Sequence, residues 1–296
     1  MKIKTKVLST IKIIGVWGGF YLIFIGLSFP IQWIFTSSFR NSNIWGIIGT
    51  GILTAVTIGY HFLILKIFGK KEKPKCGFAF ENNWLKHFGG SILFGTFCVF
   101  LVWALIVLFN GYTIRINKLT DENINYMLVF FGVMLLIGFQ EEITTRGYMA
   151  YVGKTGGKLF AAIIISIIFA ISHSSEEINI LFYINLFIWS IIAFLLTWIT
   201  GDLWSAIGFH FSWNMIMGCI LGVSVSGKTA TGVFVSEYTE GNIINGGEVG
   251  LEGSIICTII LLALLCILLY IWKKGKFNNK SNIKWLLDIK ETNNVA

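Results

Sequence analysis

The chain has 296 residues, of which 55% are hydrophobic and only 13% charged. A water-facing globular domain carries about 25% charged residues, so composition excludes an ordinary soluble enzyme, a disordered chain and a disulfide scaffold, and points to a polytopic membrane protein. The net charge of +8 forms no basic stripe interleaved with exposed aromatics, which argues against a nucleic-acid partner and leaves membrane lipid as the surroundings.

Eight apolar stretches follow along the chain, at about residues 9–29, 44–66, 90–111, 124–150, 158–173, 179–200, 203–222 and 252–272. A helical span needs about 20 such residues. The expected fold is therefore all-α, a polytopic membrane protein of about eight transmembrane helices, with residues 1–296 forming one membrane domain. Basic residues precede the first stretch, but no small-residue cleavage site follows it, so it reads as a retained span rather than a signal peptide. The fourth is too long for a simple span and carries Glu141, Glu142 and Arg146. The fifth is short and ends at His173.

Between the stretches lie the basic segment Lys70–Lys86 and the polar segment Ser224–Gly250, rich in Gly, Ser, Thr and Asn. The tail from Lys273 to Ala296 places Trp285, Leu286 and Leu287 among lysines, which fits either the inner leaflet or solvent. Cys76, Cys98, Cys219, Cys257 and Cys266 form no CxxC and read as small buried hydrophobes. The many Phe, Trp and Tyr residues read as lipid-facing bulk and interfacial belts.

The cations divide unevenly. The N-terminal flank, the Lys70–Lys86 loop with its flanks, the region of Arg146, Lys154 and Lys158, and the tail together hold 19 of the 23 Lys and Arg residues. The alternate loops hold the other 4, Arg40, Arg115, Lys118 and Lys228. The positive-inside rule then puts both termini in the cytoplasm, which requires an even number of spans. A multi-pass protein of the cell membrane is the expected location.

Ionisable side chains in hydrocarbon are costly and mark functional sites. Three clusters stand at membrane depth: Glu141 to Gly147, Phe169 to His173, and Leu203 to Asn214. Glu142 and Arg146 are four apart, share a helix face and can pair. Glu141 is turned about 100° from Glu142, which leaves it free for chemistry. Phe169 and His173 share a face, the ring giving the imidazole an apolar wall, and His210 and Asn214 present imidazole and amide together. Asp202 is a plausible N-cap for the seventh helix. At 1.5 Å per residue, Glu141, His173 and His210 lie roughly 16, 22 and 12 Å into the membrane from the cytoplasmic side. Three helices thus bring polar groups into one band, which implies a water-filled cavity, here expected to open to the cytoplasm. His61, His87 and the outer-loop pair Glu176 and Glu177 are read as structural or solvated.

A carboxylate poised by a neighbouring cation can take a proton from water. One His can hold that water, and a second His with an Asn can donate to an oxyanion. The outline is water-mediated peptide hydrolysis without a covalent enzyme intermediate. Two His and a Glu could also bind zinc, though the usual HExxH is missing.

The ordered set Glu-Glu-x-x-x-Arg at Glu141, Glu142 and Arg146, Phe-x-x-x-His at Phe169 and His173, and His-x-x-x-Asn at His210 and Asn214 resembles the CPBP family of CAAX proteases and bacteriocin-processing enzymes, also called Abi. Gly201-Asp202-Leu203-Trp204 and the stretch Gly246 to Ser254 are similar to its flanking blocks. The resemblance covers about residues 126–270, the expected catalytic-motif core. It implies an intramembrane endopeptidase of glutamic type, similar to the type II CAAX prenyl endopeptidases, with Glu141 as water-activating base, His173 assisting, His210 and Asn214 as oxyanion site, and Glu142 with Arg146 as orienting pair, beside Phe169. No cofactor is expected on this reading; zinc is the alternative. The implied partner is a membrane-associated peptide or protein substrate, in peptide maturation or bacteriocin self-immunity. A non-catalytic immunity or sensor-binding membrane protein is the runner-up.

Overall fold

In the computed structural model the described residues are 3–38, 44–68, 77, 80, 83–173 and 179–274. The expectations for Arg40, Cys76, Glu176, Glu177, most of the Lys70–Lys86 loop and the tail with Trp285, Leu286 and Leu287 lie outside them.

All eight apolar stretches fold as helices. They are α1 (Ile3–Ser38), α2 (Ile44–Phe68), α3 (Trp84–Leu108), α4 (Asp121–Gly156), α5 (Lys158–Ser172), α6 (Ile180–Thr200), α7 (Trp204–Met215) and α8 (Ile255–Lys273). Five of them, α1, α3, α4, α6 and α8, contain stretches long and apolar enough to cross a membrane, while Gly49–Ile64 in α2 and the whole of α5 are shorter apolar helices. The chain is thus a multi-pass, all-α membrane protein. Side-chain caps set several of the starts. Thr120 Oγ1 accepts from the Asn123 amide before α4, Asn179 Oδ1 from Phe182 before α6, and Ser254 Oγ from Cys257 before α8. Asp202 Oδ1 accepts from the amides of Trp204 and Ser205, the capping role expected of it.

The longest expected helix is longer than its apolar stretch and irregular inside. Over Ile143–Met149 α4 widens into a π-helical stretch, beginning directly after Glu142. Thr144 and Thr145 donate their hydroxyls to the Gln140 and Glu141 carbonyls at 2.7 and 2.6 Å, giving backbone oxygens at that irregularity a partner. The end of α7 widens in the same way over Ile216–Ile220.

The most extensive helix pairing is α3 with α7. It depends on close approach: a Cβ at Gly208 would stand 2.5 Å from the Phe88 carbonyl oxygen, and one at Gly95 would stand 2.2 Å from Ser212 Oγ. Small residues at such crossings let backbones approach and gain dispersion contacts where lipid leaves little hydrophobic driving force.

The two ends of the bundle differ. Ser9 near the start of α1 donates to the Gly153 carbonyl at the end of α4, Lys6 lies over the Phe160 ring, and Lys158 over that of Trp272. The described chain ends therefore share one face, the terminal face. The opposite face carries the α3–α4 connection and the long segment 221–254. Two short strands that periodicity did not predict join them there: β1 (Thr113–Ile116) pairs antiparallel with β2 (Phe234–Glu237), Thr113 opposite Glu237. Cys98, Cys219 and Cys257 are buried as expected, but Cys266 is exposed on the outward side of α8.

Candidate active site

The site is built around the register change in α4. Glu142, the last residue before the π stretch, is fully buried, and so is Arg146. Arg146 Nη1 donates to Glu142 Oε1 at 3.0 Å and to Thr145 Oγ1 at 2.9 Å. Its Nη2 donates to the Ser190 hydroxyl at 2.6 Å and carbonyl at 3.1 Å, and Ser190 in turn donates to Ser166. The guanidinium plane lies over Phe169 at 4.8 Å, Phe194 at 5.2 Å and Trp189 at 5.6 Å. Both terminal nitrogens of this buried charge are hydrogen-bonded and its plane is stacked, while Arg146 Nε and Glu142 Oε2 are buried without a hydrogen-bond partner among the described residues.

Helix geometry then decides the fate of the neighbouring carboxylate. Glu141 points away from that bed into a cavity of about 340 Å³, and its side chain remains 30% exposed. His210 connects the two carboxylates. Its Nδ1 donates to Glu142 Oε1 at 2.8 Å, and its Nε2 stands 3.9 Å from Glu141 Oε2. A carboxylate only accepts, so Nδ1 carries the proton in that contact. His173 closes another wall. It follows the last turn of α5, and its Nδ1 donates to the Phe169 carbonyl at 2.8 Å, leaving Nε2 for the cavity. Phe169 packs beside it with ring centroids 4.7 Å apart and stacks on Trp189. Asn214, one turn after His210, lines the same cavity.

All seven residues singled out in the sequence therefore converge. Glu141, Phe169, His173, His210 and Asn214 line the cavity, and Glu142 with Arg146 lies beneath it. His61 and His87 stay outside. His61 Nε2 is 3.0 Å from Thr144 Oγ1 with its ring stacked on Tyr148, and His87 pairs through space with Asp202. Among the described residues, no three His, Cys, Asp or Glu side chains are grouped closely enough to hold a metal ion.

Two features escaped the sequence reading. Glu252, just before α8, is buried, lines the cavity and lies within electrostatic reach of His173. It accepts from Trp213 Nε1 at 3.1 Å and from the amide and hydroxyl of Ser226 at 2.9 and 3.0 Å, which pins the 224–228 turn to the cavity wall. Burial pushes its carboxyl above the usual carboxylate range, and His173 and these hydrogen bonds pull it back. The signal was present: an acidic residue at the very start of an apolar run. The second feature is the side on which the cavity opens. Its walls at the terminal end, Thr144, Thr145 and Met149, are buried, whereas Tyr21, Phe24 and Lys228 at its rim are exposed. Val225, Ser226 and Lys228 come from the segment opposite the termini. The cavity does not open to the terminal face, as the depth estimate had it; that estimate counted residues from one end and could not see that Met149 and the Arg146 bed block it.

Residues 123–216 match the family model described as type II CAAX prenyl endopeptidase Rce1-like. That segment holds all seven motif residues and bears out the resemblance read from them. It supports a CAAX-protease-like peptidase of the membrane as the broad class. No curated protein and no solved structure matches the chain.

Proposed function

We propose that the protein is an intramembrane endopeptidase that hydrolyses a peptide bond of a membrane-associated peptide or protein with water activated by Glu141. One observation carries this reading. Of two adjacent carboxylates, Glu142 is fully buried and committed to Arg146 and His210, while Glu141 faces the cavity, 30% exposed, with His210 Nε2 3.9 Å away.

The chemistry follows from the arrangement. Water held between Glu141 and His173 Nε2 attacks the carbonyl carbon as Glu141 takes its proton. The tetrahedral oxyanion is met by the Asn214 amide and by His210, donating from Nε2 as an imidazolium whose counter-ion is Glu142. Glu141 returns the proton to the leaving amine as the C–N bond breaks. Glu142, Arg146, Ser190 and Ser166 hold the imidazole in place and take no proton from substrate. The apolar walls, Phe130, Met134, Phe20 and Phe24, suit a substrate that arrives within or along the membrane. Peptide maturation and bacteriocin self-immunity are the roles this activity would serve.

The test is peptide release in membranes by wild type and Glu141→Gln. The amide keeps the shape but cannot accept a proton, so turnover should fall by about 10²–10⁴-fold with folding unchanged; near-normal turnover would refute the mechanism. The same reading assigns no step to a metal, so hydrolysis should survive EDTA. Loss in EDTA restored specifically by zinc would overturn the metal-free assignment.

A further inference from the structure

The direction in which the cavity faces carries information about the substrate. Two independent observations meet here: which end of the bundle the cavity opens toward, and how charge divides between the ends.

The cavity is closed toward the terminal face. Met149, the wall residue nearest that face, is fully buried, and four residues further on Gly153 accepts from Ser9. A path from that face to Glu141 would have to displace α1 or cross the Arg146–Glu142–Ser190 bed. On the other side the rim is formed by Tyr21 and Phe24 of α1, the early turns of α4 at Phe130 and Met134, and the turn bearing Ser226 and Lys228. Lys228 is exposed there, which puts a cationic head group, one that seeks water, at that rim.

Charge divides along the same axis. Among the described residues the terminal face carries Lys4, Lys6, Lys12, Lys66, Lys86, Lys154, Lys158, Lys273 and Lys274, with Asp202 beside His87. The cavity face carries Arg115, Lys118 and Lys228 against Asp121, Glu122, Glu237, Glu240 and Glu248. Lysine-rich ends stay cytoplasmic during insertion, and acidic ones do not oppose translocation.

We propose that the cavity is loaded from the outer face of the membrane, and that its substrate is a peptide segment already exported or displayed at the outer leaflet. Calling the occupant a substrate rests on the peptidase reading above; the side of the opening does not. The catalytic water is then drawn from outside, and the segment to be cut reaches Glu141 past Ser226 and Lys228 without crossing the hydrocarbon. A peptide still in the cytoplasm is not a substrate.

The test is thiol accessibility in intact cells. Lys228→Cys at the cavity rim and Lys274→Cys at the terminal face are each made in a Cys76→Ala, Cys266→Ala background and treated with a membrane-impermeant maleimide before and after permeabilisation. Lys228→Cys should label fully in intact cells, and Lys274→Cys should gain at least about tenfold on permeabilisation. Labelling of Lys228→Cys only after permeabilisation would put the mouth in the cytoplasm and overturn the proposal. No labelling in either state would overturn it too, since the cavity would then not reach water. The readout needs no catalysis, so it stands apart from the Glu141→Gln result: loss of the peptidase reading leaves the side of the opening measured, and the reverse.

Discussion

Glu141 and Glu142 are chemically the same and adjacent, yet the fold treats them as opposites. About 100° of helical rotation sends one carboxylate into the cavity and the other into a bed of Arg146, His210, Ser190 and aromatic rings. Their amide variants should therefore fail in different ways. Glu141→Gln removes the proton acceptor and leaves the packing alone, so turnover should fall while the melting temperature holds. Glu142→Gln leaves Arg146 charged in a dry site without its counter-ion, which costs about 3–5 kcal/mol when a buried pair is broken, so thermal stability in detergent should fall together with activity. Equal melting temperatures for wild type and Glu142→Gln would show that the pair is not what holds this part of the protein. The division of labour was legible in the sequence because i, i+4 spacing dictates that Glu142, not Glu141, meets Arg146. What spacing could not show was the supporting layer. Ser190 and Ser166 lie in apolar runs on α6 and α5, and nothing local marks Ser190 as an acceptor for the guanidinium or Ser166 as the acceptor for Ser190.

At the scale of elements, the apolar stretches located every helix, and the caps at Thr120, Asn179, Asp202 and Ser254 fixed several starts within a few residues of the sequence reading. The π-helical stretch at Ile143–Met149 was not legible, because its sequence is compatible with an ordinary helix and the widening belongs to the packing around it. The β1–β2 pair was missed for a similar reason: strands of four residues, one on each side of four helices, have no periodicity long enough to read. The closeness of α3 and α7 was likewise hidden, since Gly208 sits in a motif block and reads there as chemistry rather than packing. In the structure its missing side chain lets the Phe88 backbone pass within a distance that any Cβ would block. Gly208→Val should force these helices apart. Overpacking of this kind costs about 1–3 kcal/mol, and His210, two residues beyond Gly208, would shift with the helix. The melting temperature and turnover should fall together, and an unchanged melting temperature would show that the crossing adapts without strain.

For the whole molecule, chain direction, charge and cavity form one argument. Ser9 against Gly153, Lys6 over Phe160 and Lys158 over Trp272 put the two described chain ends on the same face, as an even number of crossings requires. Composition had reached that parity from the 19-to-4 division of cations alone, with no knowledge of packing. The structure adds that the lysines of α1, α4, α5 and α8 do collect at one end, while Asp121, Glu122, Glu237, Glu240 and Glu248 collect at the other. Moving that many lysines across a membrane during insertion is opposed both by their hydration and by the anionic inner leaflet, worth about 1 kcal/mol per Lys near the surface. A reporter fused after Ala296 should therefore read as cytoplasmic, one inserted in the 237–243 segment as external, and one fused before Met1 as cytoplasmic. An external reading at Ala296 would break the parity argument and, with it, the orientation drawn from charge. Swapping the bias offers a sharper form of the same measurement. Replacing Lys4, Lys6 and Lys12 with Gln while adding three lysines between Thr239 and Asn242 should shift a measurable fraction of molecules to the opposite orientation, since orientation follows the local balance of Lys and Arg near the span ends. If the fusion readouts stay fixed, orientation is set by something other than charge.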